Sequence, residues 1–416
     1  MRRDVMKILN FGSANLDYVY SLDHIVGEGE TEQSEAMNTF AGGKGLNQSV
    51  AAARAGAKIY HAGCIGNDGE MLIKTLSESG ADTSLIKREN EKNGHAIIQV
   101  SKNGENSIFI HSGTNAMIEK DYVHSVLSHF GKGDIIILQN EINAIDYIID
   151  AAYKKEMFII LNPSPMNEKI FKLDFNKISC LVANEVETKT IFKSDDFKSI
   201  EKNAKRDYPG IKIMLTRGVE GSIYIDSDKV YHQNAFIVDA VDTTAAGDAF
   251  MGYFVAGIAE KKDIREVLKT ASAASAIAVS RPGAAPSIPY MKEVAEKIGK
   301  MEERYSHSDP EDIKKRIEKY VINNIADVTL AKMAEKFNYS YYTMRNIIKM
   351  STGKSFVQYV QELRVREAAR LIGSTDMSIS GITNAVGYEN ESFFRRKFKE
   401  YYGVTPKDYK TEKKVK

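Results

Sequence analysis

The hydrophobic pattern of the chain changes character once, after Pro289. Between Lys7 and about Ala278, short runs rich in β-branched residues recur at Ile8–Phe11, Ala96–Val100, Ser107–His111, Asp134–Leu138, Phe158–Leu161 and Ile211–Leu215. Helical periodicity, as in Gly45–Ala55, fills the intervals. Strands alternating with helices predict an α/β domain around a mostly parallel central sheet flanked by helices. The segments Gly94–Ser101 and Asn106–His111, joined through Lys102–Glu105 with its Asn103-Gly104 turn, predict a β-hairpin that forms a small lid sheet beside the main one. Beyond Pro289 the pattern is helical throughout: a charged helix to about Tyr305, then a new helix start at Ser308, where Ser308 and Glu311 have capping-box spacing and Pro310 suits a first turn. The expected layout is an α/β domain over 1–295, a linker over 296–310 and an all-α domain over 311–412.

Charge sharpens this division. Residues 311–416 hold 21 Lys and Arg against 13 Asp and Glu, whereas the preceding 310 hold 36 against 43. A net charge of +1 therefore conceals an acidic front and a basic back. A basic module suits a polyanion, although a solvated lysine-rich end accounts for the charge equally well. Cys64 and Cys180 are the only cysteines, without a CxxC pair or a Cys/His cluster, so reduced thiols in the cytoplasm are expected. No apolar window approaches membrane-spanning length, and none of signal-peptide type follows the first residues, so no membrane partner is expected.

Neither GxxxxGK[ST] nor GxGxxG follows the first strand, so phosphate must be held in another way. The segment Ala240–Phe250 offers one: small residues feed a helix that continues through Phe254 and Ile258. Backbone amides of Ala245, Ala246 and Gly247 at that helix start can form an anion hole for a transferring phosphoryl group. Asp248 is placed to accept the proton of an attacking hydroxyl, or, in the plainer reading, to cap the helix.

With these residues the sequence resembles the ribokinase branch of the PfkB-type carbohydrate kinases from about Lys7 to Met291. Asn15-Leu16-Asp17 and Gly43-Lys44-Gly45-Leu46-Asn47 look like the family's sugar-binding segments, and Glu141 matches a third sugar contact. Singly, each could be a turn or cap residue. The resemblance implies ATP as phosphoryl donor, with Asn184 and Glu187 organising phosphates and the water shell of Mg2+. It also implies a nucleotide turn at Thr216, Arg217, Gly218, Val219, Glu220 and Gly221, with Gly247 and Asp248 beside the nucleotide and Ser272 facing its adenine. Asp242 and Ser287 side chains, with backbone oxygens of Thr244, Ala278, Arg281 and Gly283, would hold an activating K+. The implied activity is phosphorylation of D-ribose or a related pentose, deoxyribose or nucleoside by a homodimer joined through the hairpin sheet. Ala183 departs from the family pattern, where a proline commonly precedes Asn184, and Ser272 departs where histidine is frequent.

From Lys314 onward the chain carries two helix–turn–helix units. The first spans Leu330–Ser340 with a second helix over Tyr341–Met350, and the second spans Ile379–Gly387 with a following helix through Lys399. The long helix Phe356–Leu371 connects them. This stretch resembles the AraC-type DNA-binding domain, ending in Tyr402-Gly403-Val404-Thr405-Pro406. Phe393, Phe394 and Phe398 fit a core face, leaving Arg395, Arg396, Lys397 and Lys399 on or beside exposed faces. Two recognition helices could enter successive major-groove faces of double-stranded DNA roughly 34 Å apart. Candidate contacts are Tyr341, Tyr342 and Arg345 in the first unit and Asn390, Glu391, Arg395 and Arg396 in the second. Gly381 is expected to loosen the second unit, since glycine costs about 1 kcal/mol in a helix. Three readings follow: a sugar kinase whose ligands bias DNA binding, a transcription regulator that keeps the kinase fold as a sugar sensor, or a kinase with an inert helical appendage.

Overall fold

The computed structural model describes residues 6–103, 105–194, 197–226, 229–301, 310–337 and 341–414. It divides into two compact units, one to Glu303 and one from Arg304. In the first, eight strands form one sheet in the order 229–233, 222–226, 212–216, 180–184, 158–162, 135–139, 8–11, 59–62. The strands from Ile59–Ala62 through Lys212–Thr216 are parallel, and the last two pairings are antiparallel. Alternate residues of the central strands feed different cores. Ile8, Ile135, Ile137 and Ile160 join one, while Leu9, Ile136, Leu138, Ile159 and Leu161 join the other. Burial on both faces explains why these strands read as continuous apolar runs.

A second sheet of four strands, in the order Ala36–Gly42, Asn15–Leu22, Gly94–Ser101, Asn106–His111, is the lid. The predicted hairpin supplies two of these strands, paired antiparallel from His95 with His111 to Val100 with Asn106, while Gly104 of its turn lies outside the described residues. Asn15 and Asp17 do not sit in a turn. They begin the lid strand Asn15–Leu22, opposite Gly42 and Phe40. The helix predicted to reach Tyr305 is shorter: it covers Met291–Lys297 and turns at Ile298, where Gly299 weakens continuation. Ser308, the predicted cap, lies outside the described residues.

The C-terminal unit is helical. Its helices are Pro310–Asn323, Leu330–Lys336, Tyr341–Thr352, Phe356–Ser374, Ile379–Ala385, Glu391–Tyr402 and Pro406–Lys414. Two cores share the long helix: Tyr359, Val360 and Leu363 pack with the first unit, whereas Val365, Ala368, Ala369 and Ile372 pack with the second. Side-chain caps set the helix starts at Thr329, Ser355, Ser378 and Asn390, each accepting from a backbone amide in the first turn. The helix at Ile379 persists despite Gly381, whose amide donates to Ser378 Oγ at 3.0 Å. Among the described residues no helix is long and apolar enough to cross a membrane.

Candidate active site

Two helices create the site. Lys44–Arg54 follows the tight turn at Gly43, whose φ of 89° lies in the region that favours glycine, and Ala246–Ala259 follows the small-residue loop. They cross closely because Gly252 faces Ala51 and Ala52: a Cβ on Gly252 would lie 2.3 Å from Ala51 Cβ and 2.5 Å from Ala52 N. One turn earlier on each helix, Asp248 therefore faces Asn47 and Gln48. Asp248 is buried, its Oδ2 accepting from Asn47 Nδ2 at 3.1 Å and its Oδ1 from Gln48 Nε2 at 3.0 Å. The first contact joins residues 201 positions apart in the chain.

Glu141 lies just past the strand Ile135–Gln139. Its Oε2 accepts from the Lys44 amide at 2.9 Å and from the Ser13 hydroxyl. Asp17 completes an acidic cluster: burial, then the charges of Glu141 and Asp248, push its carboxyl up to about 7. Glu141 is raised as well, chiefly by burial. The Lys44 ammonium is held above its ordinary value by Asp248, then by Glu141 and Glu187, against the opposing effect of burial. One cation thus sits in the field of Asp248, Glu141 and Glu187 together. A side chain on Gly42 would overlap the Asp17 carboxylate, its Cβ 1.9 Å from Oδ2. Asn15 is buried, and its Oδ1 accepts from Asn115 Nδ2 at 2.7 Å. Asn47 Oδ1 is buried and has no hydrogen-bond partner among the described residues.

At the start of the helix that carries Asp248, Ala245 caps Ala246–Ala259 and Gly247 is exposed. The amide of Ala246 is not free as predicted: it donates to Thr243 O at 3.1 Å, because the chain turns tightly before the helix begins. Ser275 Oγ donates to Ala246 O at 2.9 Å and ties that start to the helix Ile264–Val279, where Ser272 is buried. Asn184 and Glu187 form a reciprocal capping box at 2.9 Å in each direction, and Glu187 also accepts from the Ser164 hydroxyl. The Thr216–Gly221 turn is a separate group at the end of the strand Lys212–Thr216, where Arg217 Nε donates to Glu185 Oε1 at 3.2 Å and Arg217 also pairs with Glu220. Gly218 and Gly221 have φ of 51° and 90°, and Val219 between them is exposed.

Hydrogen bonds knit the proposed K+ loops together. Asp242 accepts from Thr244 N at 2.9 Å and Thr244 Oγ1 at 2.5 Å through Oδ1, and from Gly283 N at 2.9 Å through Oδ2. Burial alone would raise the Asp242 carboxyl, but these donors outweigh it and hold it low. Asp242 N donates to Val279 O, Arg281 N to Ala278 O and Ser287 Oγ to Ala284 O. Arg54 fixes the same loop through Ala285 O and Ile288 O. The donor set is oxygen-rich and anionic, which fits a hard cation, and the buried Glu187 carboxylate fits the outer shell of magnesium in the same way.

Sequence reasoning missed several residues that support the site: Asn10, Ser13, Gln48, Asn93, Asn115, Gln139, Asn162 and Ser164. A signal existed. Asn10, Gln139 and Asn162 are polar residues at or near the carboxyl ends of buried apolar strands, where an unsatisfied amide is costly.

A family model for the pfkB family carbohydrate kinases matches residues 6–291. The chain belongs to this family. A second model, for a helix-turn-helix domain, matches residues 333–412, which form the AraC-type module. The ribokinase of Haemophilus influenzae is 33% identical over 297 residues, covering 68% of this chain and 96% of its own. The Bacillus subtilis ribokinase is 32% identical over 289 residues, covering 68% and 97%. Among solved structures, the Thermotoga maritima ribokinase superposes with a TM-score of 0.62 at 35% identity, covering 71% of this chain and 99% of its own. The Arabidopsis thaliana ribokinase complexed with ribose and ATP gives 0.63 at 28% identity, covering 71% and 99%. The pfkB unit is thus a ribokinase-like carbohydrate kinase, and the helical module follows it as an addition.

In that module, the second recognition helix is Glu391–Tyr402. Phe394 and Phe398 are fully buried, whereas Phe393 is half-buried beneath Arg396, whose guanidinium lies 5.2 Å from the ring centroid. Asn390 Oδ1 accepts from Phe393 N at 2.9 Å, so this predicted base reader serves as the helix cap. Glu391 pairs with Arg395 at 2.5 Å. Arg345 is exposed on the first recognition helix, while the side chains of Tyr341 and Tyr342 lie outside the described residues.

Proposed function

We propose that the pfkB unit transfers the γ-phosphoryl group of ATP in line to a hydroxyl of D-ribose or a related pentose, deoxyribose or nucleoside, with Asp248 as general base. The helical module then binds double-stranded DNA in a sequence-specific way and regulates transcription. The observation that carries the kinase reading is the bond between Asn47 and Asp248, which brings the sugar motif onto the proposed base at 3.1 Å.

Sugar hydroxyls need acceptors, and Asn15, Asp17, Asn47 and Glu141 supply them around Gly43, Lys44 and Gly45. The hydroxyl proton passes to the Asp248 carboxylate as its oxygen bonds to phosphorus and the bond to the ADP oxygen breaks. Amides of Ala245 and Gly247 donate to the phosphoryl oxygens, and that of Ala246 joins them by leaving Thr243. Asn184, Thr216, Arg217, Gly218, Val219, Glu220, Gly221 and Ser272 would bind the nucleotide. Glu187 would hold Mg2+ through water, and Asp242, Thr244, Ala278, Arg281, Gly283 and Ser287 would hold K+. When bound, these cations neutralise phosphate charge and stiffen the anion-binding loop. A ribokinase and a deoxyribokinase are both among the relatives, the latter from Salmonella typhi at 29% identity. A coupled ADP-release screen of sugars and nucleosides identifies the acceptor. No turnover with any of them would contradict the kinase reading and favour a sugar-sensing regulator.

The same reading places the protein in the cytoplasm as a homodimer. Phe40 and Ile110 lie on the lid face that carries Asp17, through the pairs Asp17–Phe40, Asp17–Ala96 and Ala96–Ile110, and Ile108 follows Ile110 on that face. These three side chains are exposed, and the lid of a second copy would cover them. Sedimentation of Ile108→Asp as a monomer beside a dimeric wild type would support this, and a monomeric wild type would refute it. We assign the kinase domain to 1–295, a linker to 296–310 and the DNA-binding domain to 311–412. Sugar and ATP would bias the affinity of the module for DNA, and equal operator affinity with and without them would sink that coupling.

A further inference from the structure

We infer that Gln48 is a positioning residue that holds Asp248 by one carboxylate oxygen, Oδ1, so that the other, Oδ2, faces the sugar hydroxyl and takes its proton. The inference rests on Asp248 as the base and adds the device that aims it.

The orientation of every amide in the chain behind Asp248 is forced. Gly45 O is a backbone carbonyl and can only accept, so Asn10 must turn its Nδ2 toward it, at 2.7 Å, and toward Ser49 Oγ at 2.9 Å. Asn10 Oδ1 then faces Gln139, whose Nε2 donates to it at 2.9 Å and to Gln48 Oε1 at 2.8 Å. Gln48 is left with its Nε2 toward Asp248 Oδ1 at 3.0 Å, and toward Asn162 Oδ1 at 3.4 Å. Flipping any one amide would set acceptor against acceptor or donor against donor in a buried site, which costs about 1–3 kcal/mol. Gly12 keeps space for Gln139, since a Cβ there would lie 2.4 Å from Gln139 Oε1.

The far end of the network is neutral. Ser49 Oγ meets His61 Nδ1 at 2.8 Å, and complete burial lowers that imidazole to about 4. Amides and a neutral imidazole orient a carboxylate; they do not carry its proton away. Asn47 differs from Gln48 in one respect: its own oxygen has no partner among the described residues, so it can turn to a bound sugar and release Oδ2. Gln48 is tied at both ends and stays.

The test is steady-state kinetics of the full chain with MgATP and the sugar that wild type turns over. Gln48→Met keeps the length and removes both donor and acceptor. It should lower kcat about 10- to 100-fold, the effect of a misplaced reacting group, with KM for sugar and ATP within about threefold. Gln48→Glu keeps the acceptor for Gln139 and turns a carboxyl group on Asp248, and should be slower still. A folded Gln48→Met with kcat within twofold of wild type, or with KM rising in step with the loss, overturns the inference. Should that variant fail to fold, near-wild-type kcat in Gln48→Glu overturns it alone. An Asp248→Ala protein with full turnover would instead refute the base assignment itself, so the two failures are distinguishable.

Discussion

The kinase site and the second recognition helix hold their polar residues in opposite ways. Around Asp248 the functional side chains are buried or half-buried and fixed by partners far away in sequence: Asn47 from 201 residues away, and Ser13 against Glu141 from 128. On the recognition helix the charges are exposed and pair locally. Arg395 meets Glu391 four residues back, Lys397 meets Glu400 three residues on, and Arg396 lies over Phe393. Exposed pairs of this kind contribute about 0–1 kcal/mol, so a phosphate can replace them at little cost. The buried amides can be replaced by nothing without loss. The first region is built to hold one geometry, and the second to exchange its partners.

The contrast predicts where substitutions hurt. Asp248→Ala should lower kcat by about 10²–10⁴-fold while leaving a folded protein, measured by turnover beside thermal melting. Phe394→Ala empties a fully buried position and should cost the helical module about 3–5 kcal/mol, seen as an earlier unfolding transition with kinase turnover retained. Arg395→Ala with Arg396→Ala should weaken DNA binding and reduce the slope of log affinity against log salt by about 2, with the module still folded. A loss of fold there would show that these charges are structural and would break the comparison.

The smallest expected effect concerns pH. Burial and the neighbouring carboxylates raise Asp17 to about 7 in the sugar-free protein, well above the ordinary carboxylate range. Between that range and the raised value the folded state binds more protons than the unfolded chain, so stability falls as pH rises through this window. Asp17→Asn removes the dependence. Its sugar-free melting temperature should exceed that of wild type at about pH 8 by a few degrees, with a smaller difference at about pH 5, while sugar affinity is lost. Parallel melting curves for the two proteins would show that Asp17 ionises as an ordinary carboxylate.

Much of this could be read from the residues alone. The β-branched runs forecast four of the eight main-sheet strands, 8–11, 135–139, 158–162 and 212–216, because strands buried on both faces must be apolar throughout, and the helix start at Ala246 is visible in its small residues. The lid was half legible. The motif Asn15-Leu16-Asp17 stands out in the sequence without revealing the strand Asn15–Leu22 that carries it, whose pairing with Ala36–Gly42 is not a tight hairpin. Gln48 and Gln139 were passed over because their importance lies in a network that only the tertiary crossing at Gly252 assembles. The base readers were the least legible. Asn390 carries the same side chain whether it caps a helix or reads adenine, and the structure uses it as a cap.

The most direct test of the account is ADP release by the purified full chain with D-ribose and MgATP, for wild type and Asp248→Ala side by side. The account predicts sugar-dependent release by wild type, one ADP for each sugar phosphorylated, and its near-complete loss in the variant. Equal release by the two proteins, or release indifferent to sugar, would contradict it.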